Sequence, residues 1–384
     1  MKIKYIPESR DELKDLVNDL SINLGDIDTS LITKMDFLFA FTKRTDFSGI
    51  ETWNTSNVTD MSGMFYSCAY FDSDLSLWDV SSVTSMNSMF KGCKRFNQPI
   101  ADWDVSNVEN MEGMFTSCLF FNRPLDTWNT SKVTDMSGMF TNCSSFDQNL
   151  NGFNVSNVTN MAWMFTNCIN FNQPLCNWNV EKVESMEGMF AGCESFNQDI
   201  CSWNISNVEN MAGMFESCKN FNQAIGNWNV EKVKNMSFTF YGCEQFNYPL
   251  WHWDIGNVQF FERMFSGCKN FKESLKSWDL TKAYNTNLMF EGCNIPKENL
   301  PQGIVVKNEN SSIQLSDEIK CKLAELPKEL IEQYLSQVQA TSVNQENEQI
   351  QENVVDEVSS EEQQCEQVDV PDSLKSNQDL SREF

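Results

Sequence analysis

The sequence predicts an α/β repeat solenoid, with a parallel sheet on one face and short helices on the other. Three observations carry this expectation. Trp53, Trp78, Trp103, Trp128, Trp178, Trp203, Trp228, Trp253 and Trp278 are spaced by 25 or, across Phe153, by twice 25. Phe keeps the same register in ten copies from Phe65 to Phe290, and Cys does so from Cys68 to Cys293. Within one copy the apolar residues switch from a period of two to a helical spacing.

The copy that begins at Trp78 illustrates the switch. Trp78, Val80 and Val83 bracket Asp79, which reads as inward, outward, inward: a short strand, then a turn. Met86, Met89, Phe90 and Cys93 follow at i, i+3, i+4 and i+7, one face of a helix of about two turns. Phe96 and Ile100 point inward again on the return. A unit of this size cannot bury its own apolar stripe, so stacking on neighbours makes one continuous core. Strands stacked roughly 4.8 Å apart would line up over about 50 Å, with ladders of Trp, Val, Met, Phe and Cys inside.

The residue after each Trp (or Phe153) is always Asn or Asp: Asn54, Asp79, Asp104, Asn129, Asn154, Asn179, Asn204, Asn229, Asp254 and Asp279. It faces away from the Trp. The readings that stand are a structural ladder that satisfies turn backbone, or a functional face: a polar recognition strip, or a cation strip using the Asp positions. The ten in-register Cys residues read as a buried ladder of free thiols acting as small apolar side chains. Cys176 and Cys201, also 25 apart but on the return, are the candidates for an oxidised pair.

Residues 1–27 read as an N-terminal cap with a helix near 11–20, and 28–52 as a divergent first repeat. The ten regular repeats fill 53–302. Residues 303–339 read as a C-terminal cap with a helix over 317–338, and 340–384 as a disordered acidic tail. Between 341 and 384 there are twelve acidic and two basic residues.

Composition excludes much. The net charge of −26 argues against nucleic acid and against anionic lipid surfaces. A single histidine, His252, removes His-rich metal sites and most triad chemistry. No phosphate-cradling Gly loop and no C-x-x-C occurs, so no cofactor, no metal and no enzyme activity is expected. The first twenty residues carry Glu8, Asp11, Glu12 and Asp15 where a secretory signal would be apolar, and no long apolar run follows. The expectation is a protein without membrane insertion, either cytoplasmic or exported by a route other than general secretion.

The strings Trp53–Asp72 and Phe153–Gln173 resemble the BspA-like leucine-rich-repeat family, in the branch with mycoplasma-lipoprotein-type repeats. The resemblance covers 53–302 and, more weakly, 28–52. It implies a right-handed, leucine-rich-repeat-like coil, cell-surface placement, and adhesion or protein–protein contact. It brings no catalytic residues.

Binding information must lie where the copies differ. Phe238, Tyr241, Tyr248, Trp251 and Phe260 stand where most copies are small or polar, and His252 adjoins them. Aromatic side chains are favoured interface anchors. They form either a partner site or packing against the C-terminal cap. The expected function is a monomeric, non-catalytic scaffold for a protein or glycan partner. The alternative is an intracellular or host-delivered regulator that uses the acidic tail.

Overall fold

The computed structural model describes residues 3–305 and 314–315. The helix expected within 317–338 and the tail from 340 lie outside the described residues. The chain opens with α1 (Arg10–Asn18). Ser9 caps it: its Oγ accepts the Glu12 N–H at 3.2 Å, while the Glu12 carboxylate accepts the Glu8 N–H at 2.8 Å. Leu13 and Val17, four residues apart, bury one face of the helix. Buried Arg44 closes the other end, donating to the carbonyls of Val17, Asp19 and Ile22. Carbonyls at and just past a helix end have no partner within the helix, so the guanidinium satisfies them in place of water.

Positions are numbered from the Trp (or Phe153) of each copy, which is position 1. At position 8 each copy bridges the next in parallel, from Lys34 and Asp60 in the first copies to Phe260 and Asn285. The position 7 N–H donates to the position 7 carbonyl of the preceding copy, as in Thr84 to Thr59 at 2.9 Å. The extended run is short because turns close on both sides: Val83 N–H to Val80 O and Met89 N–H to Met86 O. Each regular copy before Trp278 therefore contributes a single bridging residue, where the alternation of Trp78, Asp79 and Val80 predicts a strand. The strands of two or more residues among the described residues are β1 (Ile304–Val305) and β2 (Gln314–Leu315), paired antiparallel.

No helix forms at positions 9–16, where the helical spacing predicts one. Met86, Met89, Phe90 and Cys93 do all point inward, each fully buried. The backbone that carries them is a run of turns. Met89, Lys91 and Cys93 donate three residues back, to Met86, Ser88 and Phe90. The alternate N–H groups leave the copy altogether: Met86, Ser88, Phe90 and Gly92 donate to Asn110, Glu112, Met114 and Thr116 at 2.7–3.0 Å. A helix would have used those donors internally. The cause is local. Positions 11 and 15 have positive φ in every regular copy, for example Gly138 at 60° and Asn142 at 60°. A left-handed residue every fourth position stops helix propagation, and Gly, Ser and Asn tolerate it best.

The core is a set of ladders. The position 13 rings stack copy on copy, from 5.6 Å between Phe65 and Phe90 to 5.5 Å between Phe265 and Phe290. Each of those from Phe65 to Phe265 also stacks on the position 19 ring of its own copy, as in Phe165 on Phe171 at 4.3 Å. The Trp ladder repeats at 6.2–6.5 Å. Every position 1 indole N–H donates to a backbone carbonyl of the preceding return, for example Trp103 to Leu75 at 3.0 Å. Phe153 continues the stack at 6.5 Å from Trp128 but has no donor to offer.

Candidate functional site

Most of the thiols among the described residues lie inside. Nine ladder thiols, Cys68 to Cys268, are buried, and each donates to a Phe carbonyl of the copy before it, as in Cys143 Sγ to Phe115 O at 2.9 Å. Burial drives the Cys68 thiol up from the ordinary 9.0 to about 12. Cys93, Cys118, Cys143, Cys168, Cys193, Cys218, Cys243 and Cys268 are shifted upward in the same way, with desolvation as the first cause. Cys176 and Cys201 are exposed free thiols. The Cys176 sulfur accepts from Asn151 Nδ2 at 3.8 Å, so side chains at position 24 of successive copies touch.

The ten residues after the Trp positions are exposed, and each has one oxygen engaged in its own turn. Asn54 Oδ1 accepts the Ser56 N–H at 3.1 Å, and the same bond recurs in every copy to Asp279, which accepts from Thr281 at 3.0 Å. The Ser81 hydroxyl and N–H hold the Asp79 carboxyl below its ordinary range, and Ser106 acts in the same way on Asp104. These residues shape the turn of their own copy.

A polar ladder that does run from copy to copy lies elsewhere, at position 20. Asp72 Oδ1 accepts the Asn97 N–H, and Asn97 Oδ1 accepts the Asn122 N–H. The chain of bonds continues through Asp147, Asn172, Asn197, Asn222 and Asn247 to Lys272, at 2.9–3.1 Å. Its signal in the sequence is the Asn of the recurring F-N-Q, overshadowed there by its Phe.

The six aromatic and histidine candidates occupy positions 11, 14, 21, 24, 25 and 8 of two successive copies. Phe238 and Tyr241 are half-buried, with ring centroids 5.9 Å apart. Trp251 is 55% exposed, Tyr248 is exposed, and the His252 ring touches Trp251 at 3.3 Å between centroids. Phe260 stands at the bridging position 8, half-buried, 6.1 Å from the Tyr284 ring. Phe238 also takes a positive φ of 60°, at a position where five of the copies use Gly.

The face formed by positions 2–7 holds a shallow polar depression of about 500 Å³, lined by Glu209, Asn229, Glu231, Lys232, Lys234 and Asn257 among others. Lys234 pairs with Glu209 of the preceding copy at 2.6 Å, and Lys232 donates to Asn207 at 2.6 Å. Among the described residues, no group of three or more His, Cys, Asp or Glu is placed to hold a metal ion. No helix among them is long and apolar enough to cross a membrane.

A family model described as Mycoplasma protein of unknown function, DUF285, matches residues 12–127, 118–215 and 193–302. The chain belongs to this family. The three matches run in tandem over the stacked copies, so each DUF285 match spans several of the 25-residue units and the ladders that join them. No curated protein matches the chain, and no solved structure does. This DUF285 protein shows apolar side chains outside the ladders too. Phe41 is 72% exposed, Tyr70 68% and Phe120 58%. A consensus of the copies conceals these three, although Tyr70 and Phe120 stand where the six copies after Phe120 carry Ser, Asn or Gln.

Proposed function

We propose that the chain is a non-catalytic scaffold that binds another macromolecule, with its stacked copies forming a right-handed, leucine-rich-repeat-like solenoid of the BspA-like kind. One observation carries the reading. Each copy hides the same side chains and hydrogen-bonds to its neighbours in the same way, so what distinguishes one copy from the next is its outer surface. A rigid array with varied outer positions suits recognition of an extended partner. The buried, upward-shifted thiols support a structural role for the most reactive groups in the repeat. The polar depression around Lys232 and Lys234 suits a protein or glycan ligand that offers hydrogen bonds.

Adhesion at the cell surface is the first setting proposed, on the resemblance to BspA-like proteins. Intracellular or host-delivered regulation is the second, favoured by the twelve acidic and two basic residues of 341–384. Protease shaving of intact host cells separates the two. Surface cleavage supports adhesion, whereas full protection combined with loss of partner capture on removal of 341–384 supports regulation. Substituting Trp251 and Tyr248 by Ala tests the aromatic candidates, because unchanged affinity for a captured partner removes them from the binding surface.

A further inference from the structure

A second region of the surface is built differently from the rest of the chain. In the first four copies, the stretches 37–43, 63–70, 88–95 and 113–120 contain Lys43, Lys91, Lys94 and Arg95 and no Asp or Glu. The protein as a whole carries a net charge of −26. None of these four cations takes part in the ion pairs seen among the described residues. Two of them lie over rings instead. Lys91 Nζ lies 5.7 Å from the Tyr66 ring centre, and the Arg95 guanidinium lies 5.1 Å from that of Tyr70.

The rings continue the pattern. Tyr70, Arg95 and Phe120 occupy position 18 of three successive copies, tied by the Arg95 N–H to Ala69 O and the Phe120 N–H to Lys94 O. Tyr70 and Phe120 project into solvent on either side of the Arg. Beside them Phe41 contacts Tyr66, with centroids 5.1 Å apart. Phe41 is 72% exposed and has φ 55°. A left-handed conformation is unfavourable for an L residue with a bulky side chain. Phe41 takes it as part of the turn geometry shared by the copies, with its N–H donating to Tyr66 O at 2.9 Å, and that turn holds the ring outward.

We propose that this ridge docks an acidic segment of a partner protein, one with carboxylates interspersed among apolar side chains. Exposed aromatic rings and Arg are the side chains enriched at the energetic centres of interfaces. Four cations outside the ion pairs of the described residues, on a molecule of net negative charge, select carboxylates locally, within a screening length of about 8 Å. A nucleic acid fits less well, because its dense phosphate charge meets four cations here and repulsion from the remaining acidic surface.

The test uses the full chain and a fluorescein-labelled peptide of alternating Glu and Phe, read by fluorescence anisotropy. The same peptide with Lys in place of Glu, phosphatidylserine vesicles and oligothymidylate serve as comparators. Saturable binding of the Glu–Phe peptide alone is expected, weakening as salt rises. Arg95→Glu, and separately Tyr70→Ser, should each weaken it by roughly ten-fold. These positions are exposed, so the unfolding midpoint should stay at the parent value, and Trp251→Ala should leave the affinity unchanged. No binding, equal binding by the Lys–Phe peptide, or equal affinity in the Arg95→Glu and Tyr70→Ser variants overturns the proposal. So does preference for vesicles or oligothymidylate. Carbodiimide cross-links from Lys94 to carboxylates within 341–384 would make the chain's own acidic tail the occupant and equally overturn a separate partner. Each of these failures leaves the general scaffold reading open, because that reading does not depend on this ridge.

Discussion

Raising the pH through 9 and 10 should unfold the protein by way of its thiol ladder. Nine buried thiols, Cys68 to Cys268, have pKa values raised above the ordinary 9.0 by desolvation. In the unfolded chain they ionise near 9, whereas in the folded chain they stay protonated. The folded state therefore binds more protons above pH 9, and stability falls as pH rises. Below the unfolded pKa nothing is lost, and the decline continues up to the folded values. One thiol costs about 0.4 kcal/mol at pH 9 and about 1.4 kcal/mol at pH 10. The nine together cost roughly 4 kcal/mol at pH 9 and roughly 13 kcal/mol at pH 10, against a usual total stability of about 5–15 kcal/mol. Urea unfolding followed by Trp fluorescence at stepwise pH should show a steep loss of stability between pH 9 and 10. Replacing Cys143 and Cys168 by Ala should make the slope shallower by about two protons. A slope of less than about one proton up to pH 10, or thiolate absorbance growing while the protein is still folded, would refute the reasoning.

Four further substitutions have expected outcomes. Phe165→Ala removes a fully buried ring stacked on Phe140, Phe171 and Phe190 at 5.7, 4.3 and 5.6 Å, and should cost roughly 3–5 kcal/mol in urea unfolding. A loss below about 1 kcal/mol would mean that the ring is not part of the core. Phe153→Trp restores the missing indole donor, facing Leu125 O where the other copies place that bond, and should raise stability by about 1 kcal/mol; a lower unfolding midpoint would show that the extra ring volume outweighs the bond. Gly138→Ala should cost only about 1 kcal/mol, because φ is 60° but a Cβ would have 3.5 Å to its nearest neighbour. Gly49→Ala should cost several times more, since its Cβ would fall against the backbone of Gly25, and equal costs would refute that contact.

The inward residues are legible from spacing alone, because burial depends on which side chains recur. Trp78, Val80, Val83, Met86, Met89, Phe90, Cys93, Phe96 and Ile100 are all expected inside, and all are buried. The backbone that carries them is not legible in the same way. Consecutive turns with a left-handed residue every fourth position place side chains at i, i+3, i+4 and i+7 just as a helix does. The discriminating signal is Gly at position 11, as in Gly63, Gly113 and Gly138, together with Ser, Asn or Gly at position 15. Likewise, the Asn or Asp after Trp is conspicuous, yet its oxygen bonds its own turn, while the quieter position 20 links copy to copy. Hydrogen bonds between copies cannot be read from one copy. The exposed ridge at position 18 is obscured because a consensus averages away the few copies that carry it.

Each interior copy is hydrogen-bonded to both neighbours through the same backbone atoms, from position 7 through position 15. One extra residue anywhere in that stretch would put two interfaces out of phase at once, whereas a whole extra copy would offend neither. Within that stretch a change of length is accommodated as a complete unit, which adds about 5 Å. Adding or removing a whole copy would change reach while leaving the joint between any two units the same.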